Sequence, residues 1–121
     1  MPTSRAITGR HAEIMAAEEL GKRGYRIIGS NYRCRGGEID LIANEADSLV
    51  FIEVRCKRTG TYGTPAESIT PSKVQKLIIT AQHYLQEHNL GDVACRFDVV
   101  EVTAADGKLV VSDVIRDAFT A

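Results

Sequence analysis

The stretch EIDLIANEADSLVFIEVR, from Glu38 to Arg55, sets two apolar runs on either side of a polar turn and plants an acid inside each. Asn44, Glu45, Asp47 and Ser48 surround a turn centred between Ala46 and Asp47. A two- or four-residue loop with that centre pairs Glu45 with Ser48, Ile42 with Phe51, and Asp40 with Glu53. Directly opposed residues in such a hairpin have Cβ atoms roughly 4.5–5.5 Å apart, where like charges repel. Something positive is therefore expected between Asp40 and Glu53. The same register sets Glu38 opposite Arg55. Alternation places Glu53, Arg55 and Lys57 on one face of the second strand and Val50, Ile52, Val54 and Cys56 on the other, a wholly apolar face that predicts a core.

Two hard oxygen donors at this spacing suit Mg²⁺ or Mn²⁺, which take one or two carboxylates and leave further positions to water and phosphate. That donor set points to phosphodiester chemistry, with Arg55 or Lys57 supplying a cation to the phosphate. The competing account is an exposed sheet face kept soluble by cross-strand ion pairs. It explains Glu38 opposite Arg55, but not Asp40 opposite Glu53.

Working outward, residues 9–23 predict a helix capped by Thr8, with Gly9, Ala12, Glu13, Ala16, Ala17 and Leu20 on one side. Glu13 sits in that small-residue face, at an edge from which its carboxylate reaches water. Gly24 ends the helix. YRIIGSNYR predicts a short strand holding a turn-prone Gly-Ser-Asn, and Gly36-Gly37 a break. KRTGTYGTPAES, residues 57–68, reads as a surface loop beside the strand ends. A second helix starts with Thr70 at its cap and Pro71 in its first turn, with Val74, Leu77, Ile78, Ala81 and Leu85 on its core face. RFDVVEV and KLVVSDVI flank Asp106-Gly107, a hairpin signal. The order is αβββαββ, an α/β domain spanning residues 1–121 whose mixed sheet is flanked by helices.

The 121 residues fit one domain able to bury about two thirds of its unfolded surface. Apolar and charged fractions of 44% and 26% are those of a globular protein. No apolar run approaches the roughly 18 residues of a membrane span. The N-terminus lacks an apolar stretch followed by small residues, so the expected location is the cytoplasm, with no membrane partner. Cys34, Cys56 and Cys95 contain no C-x-x-C pair and predict buried or idle thiols. His11, His83 and His88 form no ligand motif. A net charge of −1 confines any nucleic-acid contact to local clusters: Arg33 and Arg35; Arg55, Lys57 and Arg58; Lys73 and Lys76. Lys73 and Lys76 open the second helix, where backbone N–H groups already favour anions.

Gly9 and Glu13 in a first helix, then GEIDLIA, VFIEVR, a loop, PSKVQKL and RFDVVEV, together resemble the bacterial YraN-like family of predicted endonucleases. That family belongs to the PD-(D/E)XK nuclease superfamily and is similar to archaeal Holliday junction resolvases. The likeness spans roughly residues 9–103 in one order, far more than a lone D…E-x-K string. It implies a restriction-endonuclease-like core in which Asp40 is the motif aspartate and Glu53-Val54-Arg55 the E-x-K tripeptide. Glu13 then matches a first-helix glutamate directed at the metal, as ligand or water-holder.

The implied activity is Mg²⁺- or Mn²⁺-dependent hydrolysis of DNA, on branched or damaged substrates by analogy with the resolvases, which also imply a homodimer. Arg35, Arg58, Lys73 and Lys76 are the expected DNA contacts. Ile39 replaces the motif proline, which is not a ligand. Arg55 replaces the motif lysine, and a guanidinium stays protonated at working pH, so it stabilises phosphate charge but takes no proton. Lys57, about 6.6 Å further along the same face, is the alternative approach to the scissile phosphate. The competing functions are a catalytically inactive nucleic-acid-binding module of the same fold and a protein-interaction domain.

Overall fold

The αβββαββ order is what forms. A computed structural model describes residues 4–58 and 69–119, with side chains from Gly9 onward. Its elements are α1 (Ser4–Lys22), β1 (Arg26–Cys34), β2 (Gly37–Glu45), β3 (Ser48–Arg58), α2 (Pro71–Glu87), β4 (Cys95–Ala105) and β5 (Lys108–Phe119). The strands lie side by side in chain order. Only β3 and β4 run parallel; the other neighbours are antiparallel. Parallel neighbours require a crossover, and α2 supplies it. No described helix is long and apolar enough to cross a membrane.

The helices cover opposite faces. Ala12, Ala16 and Leu20 of α1 pack on Leu41, Ala43, Val50, Ile52, Val100 and Val102. This is the expected small-residue face, and its alanines let the helix lie close to the sheet. Thr8 is not its cap: α1 already runs through that residue from Ser4. At the other end Gly24 turns at φ +94, and the Tyr25 N–H donates to the Leu20 carbonyl at 3.0 Å, closing the helix as expected.

On the second face, Leu77, Ala81 and Tyr84 of α2 pack on Ile39, Ile42, Leu49, Phe51 and Phe97. The Thr70 hydroxyl accepts the Lys73 N–H at 3.2 Å and Pro71 opens the helix, as its sequence predicts. The buried stripe is rotated from the expected one. Thr80 and Tyr84 are buried, whereas Val74, Ile78 and Leu85 are only half-buried. Tyr84 gains edge-on contacts with Phe51 and Tyr32, and Thr80 satisfies its hydroxyl on the Lys76 carbonyl at 2.7 Å. The Gly36-Gly37 break suits this packing, since a Cβ on Gly36 would stand 2.7 Å from Ile79 Cγ2.

Three further expectations are corrected. The Gly-Ser-Asn segment makes no turn, because pairing with β2 satisfies its backbone and the irregularity is absorbed by a register shift near Gly29 and by Asn31 at φ +52. Cys56 is exposed, as is Cys95, and Cys34 is half-buried; alternation names a face but not how far the covering helix reaches. The loop reading of residues 57–68 holds neither for Lys57 nor for Arg58, which end β3, and residues 59–68 lie outside the described residues. The Asp106-Gly107 hairpin forms as expected, with φ +51 and +73.

Asp98, fully buried on β4, ties the sheet to its edges. Its carboxylate accepts hydrogen bonds from Tyr25 Oη at 2.6 Å, Arg96 Nε at 3.0 Å and the Asp117 N–H at 2.9 Å. Arg96 reaches on to Glu45 at 3.0 Å, which also holds Arg116 at 2.7 Å. Asp98→Ala takes the buried acceptor from Arg96 and from the Tyr25 hydroxyl and strands the Asp117 N–H, and is expected to cost about 3 kcal/mol or more in urea unfolding. Loss of less than about 1 kcal/mol contradicts the structural role.

Candidate metal centre

The β2–β3 register is the expected one, Glu45 with Ser48 and Ile42 with Phe51, but the ladder ends at Leu41 with Ile52. β3 continues alongside β4 as far as Arg58 with Ala104. The two strands therefore part at Asp40 and Glu53. Alternation along β2 slips at the same place: Leu41 and Ala43 belong to the core under α1, while Ile39 belongs to the core under α2. Asp40 fills the fork, its Oδ2 accepting the Val54 N–H at 2.8 Å. A side chain thus satisfies the backbone donor that a continuing ladder would have paired.

Asp40 and Glu53 are close enough to shift each other's titration. Glu53 is only 6% exposed, which makes it a buried acid rather than a surface one. Burial first, then the Asp40 charge, pushes its carboxyl up to about 7, against the pull of Lys73 and Arg55. Burial also raises Asp40, with Glu38 adding to the rise, while the Val54 N–H, Glu53 and Lys73 pull it down. The Glu53 carboxyl thus titrates close to neutral pH. The cation expected between the acids comes from α2: Lys73 Nζ stands 3.6 Å from Glu53 Oε2. That is an ion pair but too long for a hydrogen bond, and Glu53 Oε2 is buried with no hydrogen-bond partner among the described residues.

The other expected site residues divide. Glu13 feels the Asp40 charge and hydrogen-bonds Asn31; burial, then Asp40, raises its carboxyl. It completes no three-ligand set, since among the described residues no three His, Cys, Asp or Glu side chains group closely enough to hold an ion. Arg55 acts on Glu53 through its charge. Glu38 pairs with Arg33 at 3.3 Å across β1, and the ladder ends before positions 38 and 55 would meet. Lys57 is drawn away from the acids to Glu101 on β4, at 3.2 Å. Arg35 and Lys76 line one open depression of about 400 Å³ with Arg33 and Glu38, whereas Arg58 lines another beside the β4–β5 turn.

Two participants escape the sequence reading. Glu101 is buried and accepts the Ser112 hydroxyl at 2.8 Å as well as Lys57. Its signal was an acid inside the apolar run VVEV, the same anomaly that marks Glu53 in FIEV. Asn31 faces Glu13 from a left-handed position on β1, a conformation that Asn tolerates.

Two carboxylates with one unpartnered buried oxygen fit a small divalent cation, which keeps waters in its remaining positions. In metal-free buffer the pair governs pH dependence. The folded Glu53 carboxyl titrates at about 7 against an ordinary 4.5, so between those values the folded state binds more protons than the unfolded one. Stability therefore falls as pH rises through that window. Glu53→Gln, which cannot ionise, is expected to remove most of that fall and to raise the melting temperature in EDTA at about pH 8 by about 5 °C. An unchanged or lower melting temperature there contradicts the assignment.

Comparison with other proteins gives a consistent family. The model of the Uncharacterised protein family UPF0102 matches residues 12–102, nearly the span that carries the motifs. A UPF0102 protein of Nitrosococcus oceani is 48% identical over 107 residues, covering 88% of this chain and 86% of that one. One from Saccharophagus degradans is 46% identical over 98 residues, with 80% and 83% covered. A third, from Methylobacillus flagellatus, is 44% identical over 113 residues, with 93% and 96% covered. Among solved structures, Pyrococcus furiosus SfsA in complex with Ca²⁺ aligns with 93% of this chain at 12% identity and a TM-score of 0.37, and this chain spans 64% of its length. On the family match and these relatives, the chain belongs to the Uncharacterised protein family UPF0102.

Proposed function

We propose that this protein is a metal-dependent endonuclease that hydrolyses DNA phosphodiester bonds on a restriction-endonuclease-like core. The observation that carries the reading is Glu53 Oε2, a buried carboxylate oxygen without a hydrogen-bond partner beside a second carboxylate. Burying such a pair is costly, and a purely structural sheet gains nothing from it.

Asp40 and Glu53 are the residues that would hold Mg²⁺ or Mn²⁺, with Glu13 on the α1 side as a holder of water. The ion, when bound, acidifies a coordinated water and neutralises charge on the phosphate oxygens. The chain's own residues do the rest. Val54 fixes the Asp40 carboxylate through its N–H, so one donor is oriented before any ligand arrives. Arg55 remains charged at working pH and stabilises phosphate without taking a proton. Arg33, Arg35 and Lys76 border one depression beside Glu38, a basic rim that fits a phosphate backbone despite the net charge of −1. Branched or damaged DNA is the substrate that the resolvase likeness favours.

Incubation with single-stranded, duplex and four-way-junction DNA in Mg²⁺ or Mn²⁺ tests the reading. Cleavage is expected, reduced about a hundredfold or more by Asp40→Ala or Glu53→Ala. Arg35→Ala combined with Lys76→Ala is expected to weaken binding and to make its dependence on log salt shallower by about two units. Equal cleavage by the wild type and both carboxylate variants sinks the nuclease. Salt-sensitive binding without cleavage would favour an inactive nucleic-acid-binding module.

A further inference from the structure

The ion pair at the end of α2 goes beyond charge balance. We propose that Lys73 is a tethered counter-cation: in the ion-free protein it neutralises the Asp40–Glu53 pair, and on arrival of a divalent cation it moves off Glu53 to meet the substrate's phosphate. The inference rests on the metal-site reading above.

Its geometry separates a fixed part from a movable one. The backbone of Lys73 is pinned, its N–H donating to the Thr70 cap at 3.2 Å. The side chain is 38% exposed and stands 3.6 Å from Glu53 Oε2, too far for a hydrogen bond. The Glu53 oxygen is correspondingly left without a hydrogen-bond partner although it is buried. The ammonium is thus close enough to offset the acids and too loosely held to satisfy them, so Glu53 keeps coordinating capacity for a stronger cation.

Arg55 also acts on Glu53 through its charge, whereas Lys57 is engaged by Glu101 at 3.2 Å and Arg33 by Glu38 at 3.3 Å. A divalent ion on the same carboxylates repels an ammonium left against Glu53. The exposed side chain can leave by rotation, without movement of α2. Lys76, one turn further along α2, borders the depression shared with Arg33 and Arg35, so Lys73 swings out between the acids and that basic rim.

Calorimetric titration of Mn²⁺ into the full chain, under nitrogen at about pH 8.5, tests the first half. Lys73→Met keeps the apolar stem and removes the charge. It is expected to bind Mn²⁺ about five- to tenfold more tightly than wild type, while Lys76→Met, with the same change in net charge, stays within about twofold. Equal or weaker binding by Lys73→Met, or equal tightening by both variants, overturns the inference while leaving the metal site intact. If folded wild type takes up no Mn²⁺, the metal-site reading and this inference fall together. Fluorescence anisotropy with a short duplex tests the second half: Lys73→Met is expected to lose affinity several-fold in Ca²⁺ and to match wild type in EDTA. The same loss in both buffers overturns the proposed movement.

Discussion

Asp40 accepts the Val54 N–H where β2 leaves β3, and that one hydrogen bond is what allows the sheet to open without abandoning a backbone donor. A ladder that simply stopped would leave unpaired groups in a half-buried fork. The carboxylate closes the account and in doing so is fixed beside Glu53. Around the fork both cores are continuous: α1 seals Leu41, Val50 and Ile52 from one side, and α2 seals Ile39, Phe51 and Leu77 from the other.

Charge is distributed around the fork with little waste. Two acids so close, one of them buried, resist simultaneous ionisation, and the protein answers with a raised Glu53 carboxyl and a lysine from another element. Lys57, which strand alternation places beside Arg55, is instead committed to Glu101, an acid that also takes the Ser112 hydroxyl. Glu101 is thus satisfied by its neighbours, whereas Glu53 retains an oxygen with no hydrogen bond. Of the two buried glutamates in the central strands, the one left with unused coordinating capacity stands beside Asp40.

One register step away, where Asp98 of β4 pairs with Ile52, the sheet is built on another principle. Asp98 is more deeply buried than Glu53, yet its carboxylate is fully occupied by Tyr25, Arg96 and the Asp117 backbone. The network binds the start of β1 and the end of β5 to the centre of the sheet. One buried acid has its bonds supplied by the chain, and another lacks them; that contrast separates a structural carboxylate from a candidate ligand more clearly than burial does.

The linear order of residues determined a good deal. Turn chemistry at Ala46-Asp47 and Asp106-Gly107, the cap at Thr70 and the alternation of β3 are local properties, so element order and the β2–β3 register as far as Leu41 with Ile52 were legible, while the parting of the strands at Asp40 and Glu53 was not. The rotation of α2 toward Thr80 and Tyr84 was not, because it depends on where Phe51 and Tyr32 stand on the sheet. Nor were the commitments of the cations. Lys57 and Lys73 could each reach several acids along the chain, and the tertiary structure chose Glu101 for one and Glu53 for the other. Periodicity specifies the face on which a side chain emerges; which partner it meets there is decided by the element packed across from it, and that is a property of the folded chain alone.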